Sequence, residues 1–186
     1  MAEGQLITVV GPSGAGKDSI LASVKATMPN LEFVRRTITR PQDGGFEEHI
    51  PVDENAFDVL SKHGQFLFEW SAHGLRYGVP NSVQSSLDDG KCVIFNGSRG
   101  ALPKIANRFP DILVISIEVS REVLRERLLA RGRELEADIE ARLDREVPFW
   151  PEGVCIEHVD NDGPLENAVA QFTKILRRKI HGGRAV

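Results

Sequence analysis

Cysteine, aromatic residues and excess positive charge are all scarce in this sequence of 186 residues. Its two cysteines, Cys92 and Cys155, lie too far apart for a zinc knuckle or a redox pair, and both are predicted to be reduced structural thiols. The formal net charge of -4 provides no overall positive field. Binding to nucleic acid or to an anionic membrane surface is therefore not expected, and any bound anion must be held by local cations.

Long hydrophobic runs are absent as well. The apolar run Leu6–Val10 is too short for a signal peptide or a membrane span, and no basic residue precedes it. We therefore predict a cytoplasmic protein that contacts no membrane. The 41% hydrophobic and 27% charged residues are typical of soluble globular proteins, and the length predicts a single domain over residues 1–186.

Short apolar runs alternate with helical patterns along the chain. Strands are predicted at Leu6–Val10, Phe33–Thr39, Phe66–Trp70, Cys92–Asn96, Ile112–Val119 and Val154–Val159. The segments between them mostly have helical spacing, and residues 121–146 predict an exposed helical hairpin. This alternation predicts an α/β fold in which helices cover a parallel sheet.

A glycine-rich turn joins the first strand to the first helix. Its residues are Gly11, Pro12, Ser13, Gly14, Ala15, Gly16 and Lys17. They match the phosphate-binding loop, in which backbone N–H groups surround phosphate oxygens and the lysine reaches the terminal phosphates. The position between a strand and a helix is the context that the motif requires, so the turn predicts an ATP site.

The residue after Lys17 departs from the motif. Serine or threonine, which binds Mg²⁺ through its hydroxyl, is replaced by Asp18, and Ser19 follows. Carboxylate oxygen is also a good ligand for Mg²⁺, so either Asp18 or Ser19 is predicted to hold the ion. A simple helix-capping role for Asp18 remains an alternative.

The type of phosphate-loop protein has to be inferred from other features. The base-specific Asn-Lys-x-Asp segment of GTPases is absent, and the chain is too short for most motor or transporter ATPases. A small-molecule kinase is the remaining prediction.

The chain resembles the guanylate kinase superfamily over nearly its whole length. Besides the phosphate loop, the matching segments are Thr37-Ile38-Thr39-Arg40-Pro41, Phe68-Glu69-Trp70, His73-Gly74, Tyr77-Gly78, Arg127-Leu128 and Arg131-Gly132. The resemblance implies a P-loop fold with a five-stranded parallel core sheet, an acceptor-binding subdomain at about residues 33–82 and an arginine-bearing lid at about 125–146. It also implies that Arg40, Glu69 and Tyr77 line the acceptor site, while Arg131 and Arg142 reach the transferring phosphate.

Several positions that recognise guanylate in that superfamily carry different residues in this sequence. Arg36 replaces a serine, Glu48 replaces a phosphate-binding tyrosine, and the strand end Asn96-Gly97-Ser98-Arg99 lacks the family's aspartate. These variants resemble the ribose 1,5-bisphosphate phosphokinases of bacterial phosphonate utilisation. That family converts ribose 1,5-bisphosphate and ATP into 5-phosphoribosyl 1-diphosphate and ADP, so the resemblance implies this reaction.

The residue types suit a sugar bisphosphate. A phosphate acceptor is already ionised, so the reaction needs cations rather than a general base. Lys17 is assigned to the donor phosphates and Arg40 to an acceptor phosphate. This sequence adds four candidate residues for binding the acceptor: Arg36, Arg99, Asn96 and His73. Asn96, His73 and Glu69 could bind sugar hydroxyls. Arg35 and Arg76 are equally well explained as surface charges.

Three alternatives remain open at this level. The first is a guanylate kinase with an unusual acceptor site. The second is a catalytically silent interaction module, against which Lys17 and the lid arginines argue. The third is a kinase acting on a sugar hydroxyl, for which Glu69 or Asp18 would be the catalytic base.

Overall fold

The computed structural model describes residues 4–41, 48–132, 136–144 and 150–182, without the side chains of residues 142, 181 and 182. This part of the chain contains a five-stranded sheet and a separate four-stranded sheet. The predicted α/β architecture with a five-stranded parallel core sheet is confirmed. In the described ranges no helix combines the length and the apolar character needed to cross a bilayer.

The core sheet consists of parallel strands in the order β2-β7-β1-β8-β9. The strands are β1 (Gln5–Val10), β2 (Glu32–Phe33), β7 (Cys92–Asn96), β8 (Leu113–Glu118) and β9 (Cys155–Asp160). β1, β7 and β8 are buried almost throughout, as expected for strands covered on both faces. Because the strands are parallel, their carboxyl ends meet at one edge of the sheet.

Helices cover both faces of this sheet. On one face Ile7 and Val9 of β1 pack in a buried cluster with α1 (Lys17–Thr27) and α7 (Leu165–Gly182). On the other face the cluster includes residues of α3 (Ser82–Asp88) and α4 (Leu102–Arg108). The core is thus two apolar layers on either side of one sheet.

The smaller sheet has the order β4-β3-β6-β5. Its strands are β3 (Thr37–Ile38), β4 (Ile50–Pro51), β5 (Phe66–Ala72) and β6 (Leu75–Pro80), and α2 (Glu54–Lys62) lies between β4 and β5 in the chain. A two-residue turn of His73 and Gly74 joins β5 to β6, with φ angles of 54° and 73°. Positive φ at both positions is the geometry of a tight hairpin.

One strand prediction was wrong in its extent. The run Phe33–Thr39 was predicted to be a single strand, but it is divided between the two sheets as β2 and β3. The backbone N–H of Val34 still donates to Ile94 of the core sheet, whereas Thr37 pairs with Gly78 of β6. Arg35 and Arg36 interrupt the apolar residues of this segment, but the sequence pattern does not reveal that the chain changes its pairing partner there.

The predicted helical hairpin is present as α5 (Arg121–Arg131) and α6 (Glu136–Leu143). Its narrow apolar stripe is buried at Leu124, Leu128 and Ile139. Across the hairpin, the Arg125 Nε donates to Glu140 at 2.6 Å, and this hydrogen bond lowers the pKa of the Glu140 carboxyl. The exposed ion pairs orient the helices more than they stabilise them.

The close contact of β5 with Gly78 of β6 leads to a prediction about stability. A Cβ atom there would lie 2.4 Å from Cε1 of Phe66, whose ring packs 4.7 Å from that of Phe57. We expect Gly78→Ala to lower the free energy of unfolding by about 1–3 kcal/mol, measured by urea denaturation. Gly100→Ala is the matched control, since its Cβ would meet only Ser98 Oγ at 3.9 Å. Equal stability of the two variants would contradict this account of the hairpin.

Candidate active site

The phosphate loop leaves the carboxyl end of β1 and curls into the first turn of α1. Gly14 and Gly16 have φ angles of 97° and 85°, a region that favours glycine. A Cβ on Gly16 would lie 2.6 Å from the Asn161 amide nitrogen, and one on Gly14 would lie 3.0 Å from Leu124 of α5. The predicted lid helix therefore packs directly against the loop.

Lys17 lies across this loop. Its Nζ donates hydrogen bonds of 2.9 Å to the carbonyl oxygens of both Gly11 and Pro12. These contacts hold the ammonium group over the concave side of the turn, as the motif requires for contact with terminal phosphates. The sequence prediction of a phosphate-binding loop thus has the expected local geometry.

Asn161 is a site residue that the sequence analysis missed. It follows β9, is 4% exposed, and its side-chain amide donates to the Ala15 carbonyl at 2.7 Å. Arg127 of α5 donates to the carbonyl of Asn161 at 2.7 Å. Asn161 therefore ties the loop to both β9 and the lid helix. The available signal was a polar residue just after a predicted strand, the same signal that singled out Arg99.

Asp18 is the second residue of α1, and Gly16, which has no side chain, occupies the N-cap position. The Asp18 Oδ1 accepts a 2.7 Å hydrogen bond from the Asn96 amide at the end of β7. This contact disfavours the alternative that Asp18 merely caps the helix. Both residues line a cavity of about 180 Å³ beside α1, which Lys25 and Glu48 also line. Lys25 and Glu48 form a 3.4 Å ion pair.

Arg36, Trp70 and Tyr77 form a stack on one face of the small sheet. The rings of Trp70 and Tyr77 are nearly parallel, with centroids 5.3 Å apart and an interplanar angle of 7°. The Arg36 guanidinium carbon lies 4.9 Å from the Tyr77 centroid and 5.7 Å from that of Trp70. Arg36 is only 5% exposed. Aromatic faces stabilise such a buried cation.

Arg40 and Arg99 share an unusual feature although they belong to different sheets. Arg40 follows β3, and Arg99 follows β7. Among the described residues, the buried Nε atom of each has no hydrogen-bond partner. A buried donor of this kind normally requires an acceptor, and an anion would supply it. Both groups thus have the character of anion-binding arginines.

The surroundings of the two arginines differ. The carbonyl oxygen of Arg40 accepts a hydrogen bond from the ring of buried His49, at 3.1 Å. The Arg99 guanidinium lies over Trp150, 5.7 Å from its centroid. Burial lowers the pKa of Arg99, and the carboxylate of Glu118 opposes this shift. The group remains charged at neutral pH because the starting pKa is so high.

The structure does not bring Glu69 together with Tyr77. Trp70 pairs with Tyr77 across the hairpin, so the preceding residue, Glu69, faces the opposite side of the sheet. There it lines a cavity of about 280 Å³ with Ser61 of α2 and Arg108 of α4. Residues alternate between the two faces along the regular pairing of Glu69–Ala72 with β6, and this sets the side that Glu69 faces. The implied partnership of Glu69 and Tyr77 in one acceptor site is therefore not seen.

The other predicted residues have clear positions. His73 is exposed at the hairpin turn. Arg76 lies over Phe57 of α2 at 4.2 Å and pairs with Asp58, which supports its interpretation as a structural surface charge. Arg131 is exposed in the last turn of α5. The side chain of Arg142 lies outside the described residues.

Comparison with known proteins places this geometry in a family. The chain is 41% identical over 177 residues to the ribose 1,5-bisphosphate phosphokinase PhnN of Ruegeria sp., covering 95% of this chain and 93% of that protein. The corresponding protein of Burkholderia pseudomallei is 42% identical over 179 residues, with coverage of 95% and 97%. No family model matches the chain.

A longer relative contains the same region as one part. The bifunctional ribose 1,5-bisphosphokinase-thymidine phosphorylase of Cupriavidus pinatubonensis is 43% identical over 182 residues. The match covers 97% of this chain but 30% of that protein. The chain thus spans less than a third of the length of this bifunctional relative.

Among solved structures, the guanylate kinase of Anaplasma phagocytophilum superposes with a TM-score of 0.70, covering 96% of this chain and 87% of that one. The sequence identity is 20%, so this likeness concerns the fold alone. The fold is that of a guanylate kinase-like P-loop protein. The identity and the coverage of the full-length relatives show that the chain belongs to the ribose 1,5-bisphosphate phosphokinase family.

Proposed function

We propose that the chain transfers the γ-phosphoryl group of ATP to ribose 1,5-bisphosphate, forming 5-phosphoribosyl 1-diphosphate and ADP. An oxygen of the 1-phosphate forms the new bond to the γ-phosphorus, and the bond from that phosphorus to the β,γ-bridging oxygen breaks. The supporting observation is the pair of buried, unpartnered Nε donors of Arg40 and Arg99 in the described residues. A bisphosphate offers one anionic group to each.

On the donor side, the phosphate loop and Lys17 are the groups proposed to bind ATP. The Nζ of Lys17 now binds two loop carbonyls, and exchange of these weak neutral acceptors for β- and γ-phosphate oxygens would be favourable. The loop N–H groups and the amino terminus of α1 favour anions in the same place. Lys17 thereby counters the charge that develops between donor and acceptor.

On the acceptor side, the proposal assigns Arg36, Arg40, Tyr77, Asn96 and Arg99. Asn96 and Arg99 lie at the carboxyl end of β7, and Arg36, Arg40 and Tyr77 lie in or beside β3 and β6 of the small sheet. Guanidinium groups bind phosphate in bidentate fashion and stay charged at neutral pH. Because the attacking phosphate is already ionised, none of these residues has to remove a proton.

The hairpin of α5 and α6 is proposed as the lid. Its helix α5 contacts the phosphate loop at Gly14, so its position responds to what the loop holds. Arg131 at the end of this helix, together with Arg142, is proposed to neutralise the transferring phosphoryl group. Closure would also exclude water, which suppresses hydrolysis of ATP.

Mg²⁺ is the metal ion that kinase chemistry implies, and the residues at the start of α1 fit it. Mg²⁺ is commonly held by one or two carboxylates together with substrate phosphates. Asn96 orients the Asp18 carboxylate through Oδ1, and Ser19 follows with a hydroxyl. We assign Asp18 as the protein ligand. When bound, Mg²⁺ would neutralise phosphate charge on the donor.

The cellular setting is a further part of the proposal. Reaction of two soluble phosphorylated metabolites is consistent with a location in the cytoplasm and with no nucleic-acid or membrane partner. By family, phosphonate utilisation is the expected pathway.

The proposed function predicts selectivity for the acceptor. Purified protein with ATP and Mg²⁺ should release ADP with ribose 1,5-bisphosphate and much less with GMP or ribose 5-phosphate. The product should show a new diphosphate signal in ³¹P NMR. A preference for GMP would instead indicate a guanylate kinase, and failure to bind ATP would indicate a silent module.

The assignment of Arg99 predicts a selective defect. Arg99→Met should lower kcat/KM for ribose 1,5-bisphosphate by about 100-fold or more while leaving the KM for ATP nearly unchanged, because it removes a charged phosphate contact. Arg177→Met is the matched control, as Arg177 is exposed on α7. A loss of equal size in both variants, or a rise mainly in the KM for ATP, would argue against an acceptor role.

The assignment of Asp18 predicts a changed metal requirement. Asp18→Asn keeps an oxygen that can accept the Asn96 hydrogen bond but removes the negative charge. We expect the Mg²⁺ concentration for half-maximal activity to rise about ten-fold or more. Ser19→Ala should leave this concentration unchanged. If only the serine variant changes, Ser19 is the ligand instead.

A further inference from the structure

Trp70 occupies a position that the acceptor-site assignments do not include. Its side chain faces the same side of the hairpin as Tyr77, whereas Glu69 faces the α2 side. Trp70 is partly buried and packs against the apolar cluster that contains Val10 and Phe95 of the core sheet. One ring system thus contacts both the core and the acceptor side of the small sheet.

The contacts of Trp70 lead directly to two proposed acceptor residues. Its ring stacks on Tyr77 at 5.3 Å, and the Arg36 guanidinium lies 5.7 Å from its centroid. Arg36 also lies 4.9 Å from the Tyr77 ring. A buried guanidinium over two parallel rings has little freedom to move sideways, because the cation–π attraction depends on its position over the ring face. Removal of one ring leaves both remaining members of the stack less constrained.

We infer that Trp70 is a positioning residue for the acceptor: it holds Tyr77 and Arg36 in the orientation in which they bind the sugar bisphosphate. This assignment presupposes the acceptor proposed above. Trp70 need not touch the reacting phosphate. Its effect is transmitted through the stack, so it should act on binding and alignment of the acceptor and not on the site for ATP.

Two substitutions separate the stack from simple packing. Trp70→Phe retains a ring that can stack on Tyr77, whereas Trp70→Leu retains only apolar contact with the core. Kinetics are measured with ATP and ribose 1,5-bisphosphate at a temperature where circular dichroism shows both variants to be folded. We expect the leucine variant to raise the KM for the sugar bisphosphate by about ten-fold, with the phenylalanine variant close to wild type and the KM for ATP within about two-fold in both.

A double variant tests whether Trp70 acts through Arg36. In an Arg36→Met background the added Trp70→Leu change should raise the KM for ribose 1,5-bisphosphate by a smaller factor than in the wild-type background, since only Tyr77 remains to be positioned. Fully additive effects, or a Trp70→Leu variant whose KM for the acceptor is unchanged, would overturn the inference. If wild-type protein does not phosphorylate ribose 1,5-bisphosphate at all, that result contradicts the proposed function itself.

Discussion

Parallel pairing of β1 with β7 and β8 is the constraint on which the rest of the molecule depends. It brings three chain segments that are distant in sequence to one edge of the sheet: the phosphate loop, the turn containing Asn96 and Arg99, and the segment after β8. β9 extends the edge and delivers Asn161 to the loop. Without this pairing, neither the hydrogen bond from Asn96 to Asp18 nor that from Asn161 to Ala15 is possible.

The charges at that edge follow from what must be brought together. In the proposed reaction the two phosphorylated substrates would repel each other, and the chain as a whole is acidic. Attraction for the phosphate groups therefore has to come from a few cations that are already partly desolvated in the folded protein. Arg36, Arg40 and Arg99 are buried or partly buried, and aromatic rings contact the guanidinium groups of Arg36 and Arg99. Such preorganised groups need little rearrangement when an anion arrives.

The geometry of the phosphate loop was predictable from the sequence, and the arrangement of the candidate acceptor residues was less so. The phosphate loop consists of adjacent residues, so its geometry follows from local glycine placement and from Lys17. The acceptor side depends on which face of a strand a residue occupies. The division of Phe33–Thr39 between two sheets is a tertiary fact that the strand pattern does not show. Glu69 lies on the face opposite Tyr77 because residues alternate along β5, and Asn161 was missed although it follows the end of a predicted strand.

This division explains how one fold accommodates different acceptors. Donor binding relies on backbone N–H groups and one lysine, which any kinase of this type needs. In the proposed reaction, acceptor binding relies on side chains from two sheets. Here one face of the small sheet carries a cation and two stacked rings, while the carboxylate of Glu69 lies on the opposite face. That face is better suited to binding a negatively charged group than to recognising a nucleobase through a carboxylate.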